Sequence, residues 1–78
     1  METLKPGESF TFQKTSDVTV EHLDPVPHNK LAAFELSTEH STPHIITNSP
    51  WVGGVSANTT LTNTSSPGVR ITVIYKSR

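Results

Sequence analysis

The sequence predicts a small all-β domain, an antiparallel sandwich or barrel of about six short strands. Three observations carry this. Apolar and polar residues alternate in residues 8–13, 55–62 and 69–76, and a period of two marks a half-buried strand. Turn-forming Pro and Gly residues punctuate the chain between such stretches, about every ten residues, which is the spacing of sandwich strands. Threonine and serine occupy the polar positions, and β-branched threonine suits a pleated surface.

The chain has 78 residues, which is one domain spanning 1–78, with residues 1–7 a candidate N-terminal arm. A domain of this size buries only about 60% of the surface that its unfolded chain exposes. Disulfides, a metal or a neighbour usually make up the deficit. The cysteine count is zero, so disulfides and thiolate metal sites are excluded. Hydrophobic residues make up 32% and charged residues 17%, both low for a globular domain. The net charge of −1 lacks the strong bias of disordered chains. These figures imply a modest core that gains from packing against copies of itself or against a partner.

Each element has its own reason. Pro6-Gly7 is a turn pair, because Pro presets φ and Gly tolerates positive φ. Residues 8–13 form a strand with Phe10 and Phe12 on one face. Residues 17–23 form a second, with Val18 and Val20 on one face, and the two are placed to make a hairpin. Asp24-Pro25-Val26-Pro27 is an extended linker, since each Pro removes an N–H and restricts its predecessor. Residues 31–38 read as a strand with Ala32, Phe34 and Leu36 together. A helix over 29–39, capped by Asn29, is the alternative and would make the fold α+β. Residues 44–47 form a short strand between Pro43 and Pro50. Trp51-Val52-Gly53-Gly54 reads as a loop, because two glycines weaken a regular element. Residues 55–62 alternate as one strand, 63–68 turn, and 69–76 form the strongest strand, with Val69, Ile71, Val73 and Tyr75 on one face.

Four candidate interface residues emerge. Trp51 stands in a Pro/Gly-flanked segment, where a large ring makes a contact anchor or folds back as a lid on the core. Val52 adjoins it. Ile74 falls on the polar face of the last strand beside Tyr75, so that strand is a candidate pairing edge or a strand covered on both faces.

The metal candidates are His40, His44 and Glu39. A spacing of four suits a helical zinc site. Pro43 lies between the two histidines, which favours solvated loop histidines instead. Lys5-Pro6-Gly7-Glu8 is similar to the openings of some cupin strands, but the close His-x-His pair of the cupin metal motif does not occur. Neither a nucleophile elbow nor a glycine-rich phosphate loop is present. The chain therefore reads as no enzyme, with no cofactor. Asn58-Thr59-Thr60 and Asn63-Thr64-Ser65 match the glycosylation sequon, which Thr/Asn-rich strands generate by composition.

Lys and Arg are scattered along the chain, so nucleic acid is not the expected partner. No run of about 18 apolar residues suggests a membrane-crossing helix. Residues 1–7 do not read as a signal peptide, so a cytoplasmic site of synthesis is expected.

A short, cysteine-free, Thr/Ser/Asn-rich β chain with prolines at strand ends resembles the small structural proteins of tailed-phage virions. These are capsid decoration or cement proteins and minor head or tail components. The likeness lies in the overall pattern and in segments 8–13, 55–62 and 69–76. It implies a structural protein that docks on a capsid or tail protein, or on copies of itself, in a virion assembled in the host cytoplasm. One rival reading is a carbohydrate- or peptide-binding β-module with Trp51 and Tyr75 in contact. Another is a cupin-like metal-binding protein.

Overall fold

A computed structural model describes residues 1–23 and 25–78, apart from the side chain of residue 41. Its strands are β1 (Glu2–Leu4), β2 (Ser9–Phe12), β3 (Ser16–His22), β4 (Phe34–Thr38), β5 (Ser41–Ile46), β6 (Trp51–Val55), β7 (Thr59–Asn63) and β8 (Ile71–Ser77). Two antiparallel sheets of four face each other, ordered β1-β8-β3-β6 and β2-β7-β4-β5. Every connection except β4–β5 crosses from one sheet to the other. Eight strands ordered this way form a jelly roll.

The all-β expectation holds, with two more strands than the expected six. The helical alternative for 29–39 does not occur: Phe34–Thr38 is strand, paired with both β5 and β7. The expected hairpin of residues 8–13 and 17–23 is corrected, because β2 and β3 lie in different sheets. Phe12 of β2 and Val18 and Val20 of β3 thereby meet in one core from opposite sides. Trp51-Val52-Gly53-Gly54 is also corrected, from loop to strand: it pairs with β3 from Val20↔Trp51 to Asp17↔Gly54. The two glycines lie beneath larger side chains. A Cβ on Gly53 would sit 2.6 Å from the Trp51 ring, and one on Gly54 2.7 Å from the Arg78 guanidinium. Residues 55–62 are not one strand, because the chain turns between Val55 and Thr59 to change sheets, with Asn58 at φ 67°. Asparagine is among the few residues that tolerate that conformation. The strand expected at 44–47 is β5, Ser41–Ile46, which begins before Pro43 and ends one residue earlier. Residues 1–7, read as a candidate arm, include β1, which pairs with β8.

The turn pairs behave as their chemistry dictates. Gly7 and Gly68 sit at φ 89° and 86°, where a side chain would be strained. Of the linker expected at 24–27, Asp24 lies outside the described residues, and Pro25, Val26 and Pro27 belong to no strand.

The core is Leu4, Phe12, Val18, Val20, Phe34, Val55, Leu61, Ile71 and Val73, with Phe10, Leu36, Ile46 and Trp51 packed at its margin. No helix among the described residues is long and apolar enough to cross a membrane.

Candidate functional site

Strand register fixes which side chains share a face. In the β1-β8-β3-β6 sheet, Val18 and Val20 of β3 point into the core, so Thr19 points out. Thr19 pairs with Ile74 on one flank and Val52 on the other. Ile74, Thr19 and Val52 therefore form one β-branched row across the outer face. Val52 is 74% exposed and Ile74 48%. Charged groups bound the row, with Glu21 on one side and the Asp17–Lys76 pair on the other.

The opposite outer face is different. Ser9, Thr11, Thr60 and Thr62 alternate with the inward Phe10, Phe12, Thr59 and Leu61. Their hydroxyls bond across the strands, Ser9 to Thr62 at 2.8 Å and Thr11 to Thr60 at 3.0 Å. One face of the sandwich thus presents hydroxyl pairs that satisfy one another, with the exposed Ile45 of β5 opposite Glu35, and the other presents Ile74 and Val52 aligned through Thr19.

The four interface candidates split two and two. Val52 and Ile74 come together on the aliphatic face. Trp51 and Tyr75 instead turn inward, at opposite margins of the core. Trp51 meets Phe34 edge-on, with ring centroids 5.6 Å apart, which is the lid placement. Tyr75 packs on Phe10 at 5.1 Å and Phe12 at 5.6 Å, and stays 37% exposed. These three rings line an open cleft of about 230 Å³ together with Lys14, Ser16 and Ser77.

The metal candidates do not assemble. Glu39 and His40 are 3.9 Å apart and both largely exposed, and His44 is exposed on β5. No group of three or more His, Cys, Asp or Glu side chains among the described residues is placed to hold a metal ion.

A different polar contact was invisible in the sequence. His22 Nδ1 lies 2.7 Å from Ser49 Oγ, and the His22 backbone N–H also donates to that oxygen at 3.2 Å. A separation of 27 residues gave no local signal. The adjoining cavity holds about 10 Å³, room for about one water, so this His–Ser contact faces no space of substrate size. It ties the segment before β6 to the end of β3.

The two sequons part company. Asn58 is exposed on its turn. Asn63 is 1% exposed, and its amide donates to the carbonyls of Leu4 and Val69 at 2.9 and 3.0 Å. In the folded protein that nitrogen is not accessible for a glycan.

At the edge of the aliphatic face, Arg78 reaches over Gly54 to Asp17, with Nη2 at 2.6 Å and Nε at 2.9 Å. The Arg78 hydrogen bond holds the Asp17 carboxyl below its usual value; the fields of Arg78 and Lys76 add to this, and desolvation opposes it. The Arg78 guanidinium is held correspondingly above its own.

No family model, curated protein or solved structure matches this chain. The fold and its surfaces define it as a small jelly-roll module with one aliphatic and one hydroxyl-rich face.

Proposed function

We propose that this chain is a structural docking protein without enzymatic activity. It attaches through the outer face of the β1-β8-β3-β6 sheet to a larger assembly or to copies of itself. The observation that carries this is the exposed Ile74–Thr19–Val52 row, set opposite a face whose hydroxyls pair with each other. Two exposed aliphatic side chains, Ile74 and Val52, aligned across three strands through Thr19, gain from burial at about 25 cal/mol per Å². A self-satisfied hydroxyl face has little to gain and suits solvent.

The setting we propose is a virion, with the chain as a capsid decoration or cement protein or a minor head or tail component. Jelly rolls serve in viral capsids, lectins and cupins, so this step is an analogy of fold. Of those three uses, the cupin one has no ligand set among the described residues. The lectin one loses Trp51 as its anchor, because that ring packs on Phe34.

Light scattering after size exclusion, and co-sedimentation with native particles, test the reading. The wild-type protein is expected to associate with itself or to sediment with the particles, and a Val52→Asp, Ile74→Asp variant with an unchanged amide spectrum is expected to do neither. A wild-type monomer that binds no particle, or a variant that associates as the wild type does, overturns it.

A further inference from the structure

A second surface lies on the flank between the sheets. β8 runs through Ser77, yet β1 pairs with it only at Ile71, Thr72 and Val73. Residues 74–77 are held by β3 on one flank, and no strand among the described residues pairs with the other. The aromatic cleft opens directly beneath that flank, where Tyr75 faces Phe10 and Phe12.

We infer that residues 74–77 accept an extended, acidic segment of a partner polypeptide as an added strand, in line with β1, with one apolar side chain seated in the Phe10–Phe12–Tyr75 cleft. Alternation dictates the arrangement. The partner residue opposite Tyr75 points inward to the rings. The residue opposite Lys76 points outward and, if acidic, makes a cross-strand ion pair. The cleft of about 230 Å³ is many times the roughly 10–15 Å³ that holds one water on the same measure.

Charge selects the partner. Lys14 lines the cleft, and among the described residues no acidic one does. Across the strand from Lys76, Asp17 is already engaged by Arg78. Two copies joined through this flank would bring their Lys76 side chains and their clefts' Lys14 residues together, and like charges oppose that. Of the four edge strands, β1, β6, β2 and β5, the last carries Pro43, a residue that blunts strand addition. The β3–β8 ladder runs from Ser16↔Ser77 to His22↔Ile71 without a bulge, so this flank of β8 is regular.

Ile74 belongs to both this flank and the aliphatic row, whereas Val52 lies two strands away on β6, so a Val52 substitution separates the two readings. The probe is a fluorescein-labelled heptapeptide alternating valine and glutamate, titrated by anisotropy at low salt into the full chain. A valine–lysine heptapeptide is the control. The valine–glutamate peptide is expected to bind saturably and to shift the amides of residues 74–77. Binding is expected to fall at least tenfold for the lysine peptide and for a Lys14→Glu, Lys76→Glu variant, both exposed positions. Val52→Asp is expected to leave it unchanged. Absence of binding, equal affinity for both peptides, or amide shifts confined elsewhere overturns the inference. So does self-association without peptide that the Lys14→Glu, Lys76→Glu variant abolishes, which would put a second copy on the flank.

Discussion

The Asn63 side-chain amide donates to the Leu4 carbonyl at 2.9 Å, joining residues 59 apart in the chain. The same nitrogen donates to the Val69 carbonyl, and the Asn63 side-chain oxygen accepts from the Ser65 N–H. One buried side chain thus closes the ends of β1 and β7 and the approach to β8. Removing it takes a hydrogen bond from three backbone groups, at about 1–3 kcal/mol for each left buried and unpaired. Small domains hold only a few kcal/mol in reserve. Asn63→Ala is expected to be largely unfolded by circular dichroism at 25 °C. Asn63→Asp is expected to fold better at acid pH than at neutral pH, because burial and two facing carbonyls raise the pKa of the new carboxyl. Stability then falls as the pH rises through that raised value. Urea midpoints that do not differ between the two pH values would refute this.

The Trp51 ring covers Gly53, and a methyl group there would meet the ring at 2.6 Å. The ring also packs edge-on against Phe34, which limits its room to yield. Alanine favours a strand over glycine by less than such a clash costs, about 1–3 kcal/mol for overpacking. Gly53→Ala is expected to lower stability by about that amount and to shift the emission of this single Trp to the red. An unchanged spectrum with unchanged or raised stability would refute the packing described.

These two positions also show what the sequence conveys and what it withholds. Alternation placed Phe10, Phe12, Val18, Val20, Ile71 and Val73 on their proper faces, because a period of two is written locally. It also separated Ile74 from Tyr75 correctly. Gly53 and Gly54 concealed a strand, since their compatibility with a sheet depends on Trp51 and on Arg78, the latter 24 residues on. Asn63 read as a turn residue, because two of its partners, Ser65 and Val69, are local and the one that buries it against β1, Leu4, lies 59 residues away. The Ile74–Thr19–Val52 row needed the pairing register, which no single strand records. Val52 and Ile74 were each legible as exposed candidates, but their alignment was not.

Arg78 grips Asp17 from the last position of the chain. The Asp17 carboxyl is held below its ordinary value, first by the Arg78 hydrogen bond. A depressed folded-state value means that the favourable contribution is present above the unfolded pKa and is lost as the pH falls through the folded one. A carboxyl-carbon NMR titration is expected to place the Asp17 midpoint below that of an unperturbed aspartate. Arg78→Ala is expected to move it back up, and high salt to move it part of the way, since the pair is exposed and screened. A midpoint that Arg78→Ala leaves in place would show that the ion pair does not form in solution.

Thr72 presents the opposite situation to Asn63. It lies on the outer face of β8 between Thr3 and Glu21, yet it is 9% exposed. Its hydroxyl oxygen is buried with no hydrogen-bond partner among the described residues. A buried hydroxyl without a partner costs about 1–3 kcal/mol in lost hydration. Valine has nearly the same shape, keeps the β-branch that a strand favours, and carries no polar atom to desolvate. Thr72→Val is therefore expected to stabilise the fold by about 1 kcal/mol, which for a domain of this size raises the melting temperature by roughly 4–8 °C. Thr72→Ser, which keeps the hydroxyl and removes the methyl group, is expected to lower it. A melting temperature that falls in Thr72→Val would mean that the hydroxyl finds a partner in solution, and the assignment of an orphaned polar atom at the centre of this face would be withdrawn.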